Sequence, residues 1–248
     1  MEVSATEEIA GPSLSSASLL LKVRTEVVGC RCCPRLVEYR EEVARSKRRE
    51  FLDWQYWGRP VPGFGDPNAQ LLIVGLAPAA HGGNRTGRVF TGDRSGDFLY
   101  KALYKMGLAN QPTSQNSEDG LRLKGAYVTA AVKCAPPANK PSTEETTNCS
   151  SYLESEIDSL REVEAILCLG QFAFNAVMRM IRKKHNLPQM SAKFGHEKVL
   201  RLGEGIPVII CSYHPSPRNT QTGKLTENMF LSVLREALRD GKIAQNKP

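Results

Sequence analysis

The sequence predicts an α/β protein: a three-layer α/β/α domain on a central, mainly parallel four-stranded sheet. Two observations carry this. Four short apolar runs, residues 70–75, 126–132, 164–170 and 206–212, are nearly continuous rather than alternating, as strands covered on both faces should be. Helix-forming segments fall between or after them, near 95–107, 143–160, 171–184 and 226–240. Strands alternating with helices imply right-handed crossovers and a parallel sheet. At 248 residues the chain is long enough to bury a large core without covalent staples.

The chain is expected to divide into a flexible tail, residues 1–15, and a single domain, residues 16–248. Residues 16–29 read as helix and run into Cys30-Arg31-Cys32-Cys33-Pro34. Residues 35–51 are charged and helix-prone, and the basic run Arg45-Ser46-Lys47-Arg48-Arg49 reads as a solvated helix face. Residues 54–67 hold three prolines, three glycines and four aromatics. That composition excludes helix or a regular central strand and suggests an ordered loop pinned by its rings, with both tryptophans packing. Thr143, with Glu144 and Glu145 after it, marks one helix start, and Asp93 or Ser95 another. Residues 110–123 and 185–203 read as excursions from the core.

The formal charge of +7 favours an anionic partner. An odd number of cysteines, seven, argues against a secreted disulfide framework. No apolar run reaches the length of a membrane span. The expectation is a cytoplasmic monomer that does not engage a membrane.

Cys30 and Cys33 stand at a metal-type spacing. Cys134, just past the second strand, and Cys149, in the helix after it, fall near one end of the sheet. Four thiolates there could hold a 4Fe–4S cluster or a zinc ion, and spacing alone does not separate the two. Cys32 reads as a bystander, with replacement of Cys30 or Cys33 as the alternative. Cys168 and Cys211, inside apolar strands, read as small core residues.

Three loops leave the carboxyl ends of strands, where ligands bind in open α/β sheets. The first, residues 75–94, is rich in glycine, so its backbone can approach a ligand closely. It carries Arg85, Arg88, Arg94, the flat face of Phe90 and the carboxylate of Asp93, whose plainer role is to cap a helix. The second, residues 133–141, is stiffened by prolines and holds Asn139, whose amide can donate and accept at a base edge. In the third, residues 212–219, His214 stands between a buried strand and a Pro-x-Pro turn. Together they supply what is needed to take one base out of a nucleic-acid strand and act on it.

These residues resemble a known family. Gly75-Leu76-Ala77-Pro78-Ala79, the run Asn84-Arg85-Thr86-Gly87-Arg88 with Phe90-Thr91-Gly92-Asp93, and His214-Pro215-Ser216-Pro217-Arg218-Asn219 are similar to uracil-DNA glycosylase family 5. So is the segment from Trp57 to Gly65, and Cys30, Cys33, Cys134 and Cys149 match that family's iron–sulfur ligands. The resemblance spans roughly residues 25–240. It implies the superfamily's α/β/α fold, a structural 4Fe–4S cluster on those four cysteines, and removal of deaminated bases, uracil and also hypoxanthine, from damaged DNA. Sister families carry a carboxylate or amide where this chain has Leu76 and Ala77, so the usual water-activating side chain of the first motif is missing.

The roles expected on this basis are as follows. Phe90 stacks the flipped base, Asn139 reads its edge, His214 stabilises the departing base, and Asp93 orients the water. Gly75, Ala77, Ala79, Asn84, Arg88 and Arg218 complete the substrate contacts. The alternative is an iron–sulfur protein that binds uracil-DNA tightly without turnover. Relatives that trap DNA covalently carry a basic insertion with a nucleophilic histidine near the first motif. No such insertion precedes Phe90 here, although His81 lies in that loop. A nucleotide-binding reading fails because the loop has neither phosphate-cradling glycine motif.

Overall fold

The computed structural model describes residues 14–189 and 192–241. The tail expected for residues 1–15 therefore lies outside the described residues up to residue 13, while Ser15 already caps the first helix through its side chain. In chain order the elements are α1 (Ser16–Gly29), α2 (Pro34–Ser46), a 3-10 turn (Arg49–Phe51), β1 (Phe64–Gly65), β2 (Leu71–Gly75), α3 (Gly83–Thr86), α4 (Arg94–Lys105) and β3 (Ala126–Ala130). A second 3-10 turn (Pro137–Asn139) precedes α5 (Thr143–Ser159), β4 (Ala165–Leu169), α6 (Gln171–Lys184), β5 (Val199–Leu200), β6 (Val208–Ser212), α7 (Pro217–Gln221) and α8 (Glu227–Asp240).

The sheet runs β1-β3-β2-β4-β6-β5. The four apolar runs form its parallel centre, β3-β2-β4-β6. Among the described residues the expected four strands become six because two-residue strands close both edges antiparallel, β1 on β3 and β5 on β6. Two residues leave no readable period, so these edges were hidden in segments that read as loop.

Alternate residues of the central strands face opposite layers, as the pleat requires. Leu71, Ile73, Val128 and Ile210 pack with Leu99, Leu103, Phe230 and Leu234 of α4 and α8. Leu72, Val74, Ile166 and Ile209 pack with Leu153, Ile157, Phe174 and Val177 of α5 and α6, with Leu20 of α1 beyond. Cys168 and Cys211 sit fully buried in this second layer, as small core residues should.

β2 has β3 on one side and β4 on the other. The chain leaves β2 through α4 toward β3, and leaves β4 through α6 toward β6. The carboxyl ends of β2 and β4 therefore flank the switch point where a ligand crevice opens. Among the described residues no helix is long and apolar enough to cross a membrane.

Candidate active site

The crevice is built by close approach. Gly75 ends β2 with a bare Cα, and a Cβ there would lie 2.6 Å from the Phe90 ring. Phe90 holds φ +51°, a left-handed conformation that is unusual for a bulky residue. The surroundings impose it. The Tyr100 hydroxyl donates to the Val89 carbonyl at 3.0 Å. Gly96 crowds the Phe90 carbonyl so closely that a Cβ would lie 1.8 Å from its oxygen. Strain of this kind persists only where the structure over-determines it, and it gathers at functional sites.

His214 follows β6 and packs on Gly170 at the end of β4, where a Cβ would lie 3.3 Å from the His214 Cβ. Its ring stacks on Phe90 with centroids 5.7 Å apart at 29°. The Asn219 side-chain amide donates to the His214 carbonyl at 2.8 Å and fixes the turn. Burial lowers the His214 pKa to about 4, so the imidazole is neutral at neutral pH.

Asp93 caps α4, as its plainer reading anticipates, but with one oxygen. Oδ1 accepts from the amides of Ser95 (2.9 Å) and Gly96 (3.0 Å). Oδ2 lies against Gly82, where a Cβ would stand 2.1 Å away. Burial raises the Asp93 pKa, and the two capping amides offset only part of that. The carboxylate is thus more basic than usual, with one oxygen left over from the cap.

Other expected residues lie elsewhere. Asn84 is fully buried and its amide donates to the Arg40 carbonyl at 3.1 Å. Arg88 is buried with every nitrogen engaged: Nε on Thr91, Nη1 on Asp119, Nη2 on Asp119 and Ser114, all within 2.9 Å. Neither offers a donor to substrate in this arrangement. Ala77 packs against the cysteine cluster, and the Ala79 carbonyl accepts the amides of Gly82 and Asn84. Arg218 is exposed on α7 and open to a phosphate. Asn139 is exposed, with Ala138 and Asn139 both left-handed, so its amide stands at the surface and not in a closed pocket. His81 Nδ1 lies 3.0 Å from the Tyr56 hydroxyl.

Sequence reasoning missed the supports of this crevice. Asp119 comes from an excursion and grips Arg88. The rings of Phe51 and Trp54, set edge to face at 78°, both border the Arg85 guanidinium. An acidic residue in a stretch rich in Ser, Asn and Gly, and a ring pair before the first motif, are visible in the sequence, but nothing local assigns them a partner.

Cys30, Cys33, Cys134 and Cys149 line one small cavity with Arg40, Tyr152 and Asn148, and Cys32 also borders it from its exposed position. The Arg40 side chain, 2% exposed, donates from Nη1 to the Cys134 sulfur at 2.9 Å and from Nη2 to the Cys30 carbonyl at 3.2 Å. Burial pushes the Cys134 thiol up to about 12 and the Cys149 thiol up to about 11. Among the described residues no three His, Cys, Asp or Glu side chains converge as a single metal ion would require.

A family model described as the Uracil DNA glycosylase superfamily matches residues 62–238. A type-5 uracil-DNA glycosylase of Mycobacterium leprae is 49% identical over 226 residues, covering 89% of this chain and 95% of the relative. One of Thermus thermophilus is 49% identical over 213 residues, 86% of this chain and 94% of the relative. A type-4 uracil-DNA glycosylase of Sulfurisphaera tokodaii is more distant, 27% identical over 206 residues. The glycine-rich first loop, the Phe90–His214 stack and these matches agree: the chain belongs to the uracil-DNA glycosylase superfamily, in its type-5 family.

Proposed function

We propose that this protein removes uracil from DNA by hydrolysing the N-glycosidic bond, leaving an abasic site, and that it also accepts hypoxanthine. The observation that carries the reading is the Phe90–His214 stack at the switch point, with the Asp93 carboxylate three residues beyond Phe90. The aromatic face takes the extruded base, at an unstacking cost of a few kcal/mol that is least for mispaired bases. As the glycosidic bond breaks, charge grows on the departing base and on the sugar. A neutral His214 has one ring N–H to give to the base oxygen, and such a preorganised donor is worth about 3–4 kcal/mol. Asp93 Oδ2 orients the attacking water and faces the growing positive charge. Leu76 and Ala77 supply no polar side chain of their own. Exposed Arg218 grips the backbone, which positions the duplex without reading sequence.

The four cysteines fit a 4Fe–4S cluster better than zinc. Zinc would draw four sulfurs to about 2.3 Å from one point. Here the thiols surround a cavity instead, and Arg40 is a buried cation whose Nε lacks a partner among the described residues. A cationic wall suits any four-thiolate centre, since both zinc and a cluster are net negative on four thiolates, so the preference for a cluster rests on the cavity alone. Cys30 and Cys33 would hold it from the α1–α2 corner, Cys134 from the end of β3 and Cys149 from α5. Its contribution would be structural, joining these elements behind Ala77.

The test is a panel of duplexes carrying uracil, hypoxanthine or undamaged bases, incubated with the purified protein and then cleaved at abasic sites with alkali. Cleavage at uracil and hypoxanthine only is the expected result. A stable complex with uracil-DNA and no abasic product would support binding without turnover and overturn the reading. The same preparation should absorb broadly near ~400 nm, as iron–sulfur ligation does and zinc does not.

A further inference from the structure

Arg85 is a buried cation that the proposed chemistry does not use. It is 4% exposed. The rings of Phe51 and Trp54 lie 3.8 and 4.0 Å from its guanidinium carbon. Nε donates to the His81 carbonyl at 2.7 Å and Nη2 to the Gly92 carbonyl at 2.9 Å. Nη1 is buried without a partner among the described residues. Buried arginines are normally neutralised by a carboxylate, but this one forms no ion pair among the described residues.

The two carbonyls it selects explain the arrangement. Gly92 immediately precedes Asp93. His81 immediately precedes Gly82, the bare backbone wall against Asp93 Oδ2. One planar fork thus ties together the two backbone segments between which the Asp93 carboxylate sits, and the two rings, meeting edge-on at 78°, form a corner that holds its guanidinium carbon. The contact is tight, since a Cβ on Gly92 would lie 2.5 Å from Arg85 Nη2.

We infer that Arg85, caged by Phe51 and Trp54, is the positioning residue for the Asp93 carboxylate and acts on the reaction only through it. The inference rests on the reading of Asp93 as the group that orients water. Misplacing a reacting group by about 1 Å costs about a hundredfold in rate. A residue whose whole effect runs through Asp93 should lose that effect once Asp93 is disabled.

The experiment is a double-mutant cycle in single-turnover uracil excision, with duplex affinity measured in parallel. Arg85→Met keeps an apolar stem between the rings and removes the fork. It should slow excision about a hundredfold with DNA affinity unchanged, and it should add nothing further in an Asp93→Asn background. Arg85→Lys, one donor in place of a fork, should recover part of the rate. Losses that multiply in the double variant would overturn the inference and leave Asp93 in its role, as would an Arg85→Met enzyme at full rate beside an inactive Asp93→Asn. If Asp93→Asn itself runs at the wild-type rate, the reading of Asp93 falls and takes the inference with it. Should Arg85→Met fail to fold, Trp54→Leu, which opens one face of the cage, replaces it in the same cycle with the same pattern expected.

Discussion

Arg85 and Arg88 lie three positions apart on either side of the left-handed cap Gly87, are equally buried, and are held in opposite ways. Arg88 is neutralised: Asp119 accepts two of its hydrogen bonds, and Ser114 and Thr91 take the rest. Arg85 has two backbone carbonyls, two aromatic neighbours and, among the described residues, no carboxylate. The first is a staple, fastening the excursion of residues 110–123 to the first loop. The second fastens the backbone on either side of Asp93, a carboxylate whose pKa burial raises.

That contrast can be broken from either side. Arg88→Met strips the partner from Asp119, which is only partly buried and keeps the Gln115 and Leu121 amides, so the loss should fall at the low end for a broken ion pair, about 3 kcal/mol, read as a lower denaturant midpoint. A loss as small as that of a surface substitution would show that the staple is incidental.

The pH dependence gives a smaller effect. Burial raises the Asp119 pKa, but Arg88 and the amides of Leu121 and Gln115 outweigh it and bring it to about 2. A carboxylate depressed in the folded state stabilises above its unfolded pKa and loses that contribution as pH falls through the folded value. The gap in stability between wild type and Asp119→Asn should therefore be full above about pH 4 and shrink between there and about pH 2. A gap independent of pH would deny the charge of Asp119 its role.

Smallest is the cage. Trp54→Leu removes one cation–π face, worth about 1 kcal/mol, so in chemical denaturation it should cost far less than Arg88→Met while slowing excision more. Equal costs in stability would erase the distinction between the two arginines.

Most of the fold was legible in the sequence. The apolar runs marked all four parallel strands to within two residues, because strands buried on both faces have no polar side to blur them. Asp93 as a helix cap was legible from residue type and position. Edge strands β1 and β5 were not, being too short for a period. Nor could Asn84-Arg85-Thr86-Gly87-Arg88 distinguish its two arginines. What separates them is Asp119, thirty-one positions beyond Arg88, and the rings of Phe51 and Trp54, thirty-odd positions before Arg85. The same holds for Asn139: its proline-rich loop announced a held residue, but only the backbone shows that it is held at the surface.

The account turns on whether Asp93 does more than cap α4. Asp93→Asn separates the roles, since an amide oxygen can still accept from Ser95 and Gly96 while the second oxygen and its charge are lost. Single-turnover excision of uracil from duplex DNA by this variant is the direct measurement. A fall of about 10²–10⁴-fold with unchanged thermal stability and DNA affinity is the predicted result. Excision at the wild-type rate would contradict it and return Asp93 to the role of a helix cap.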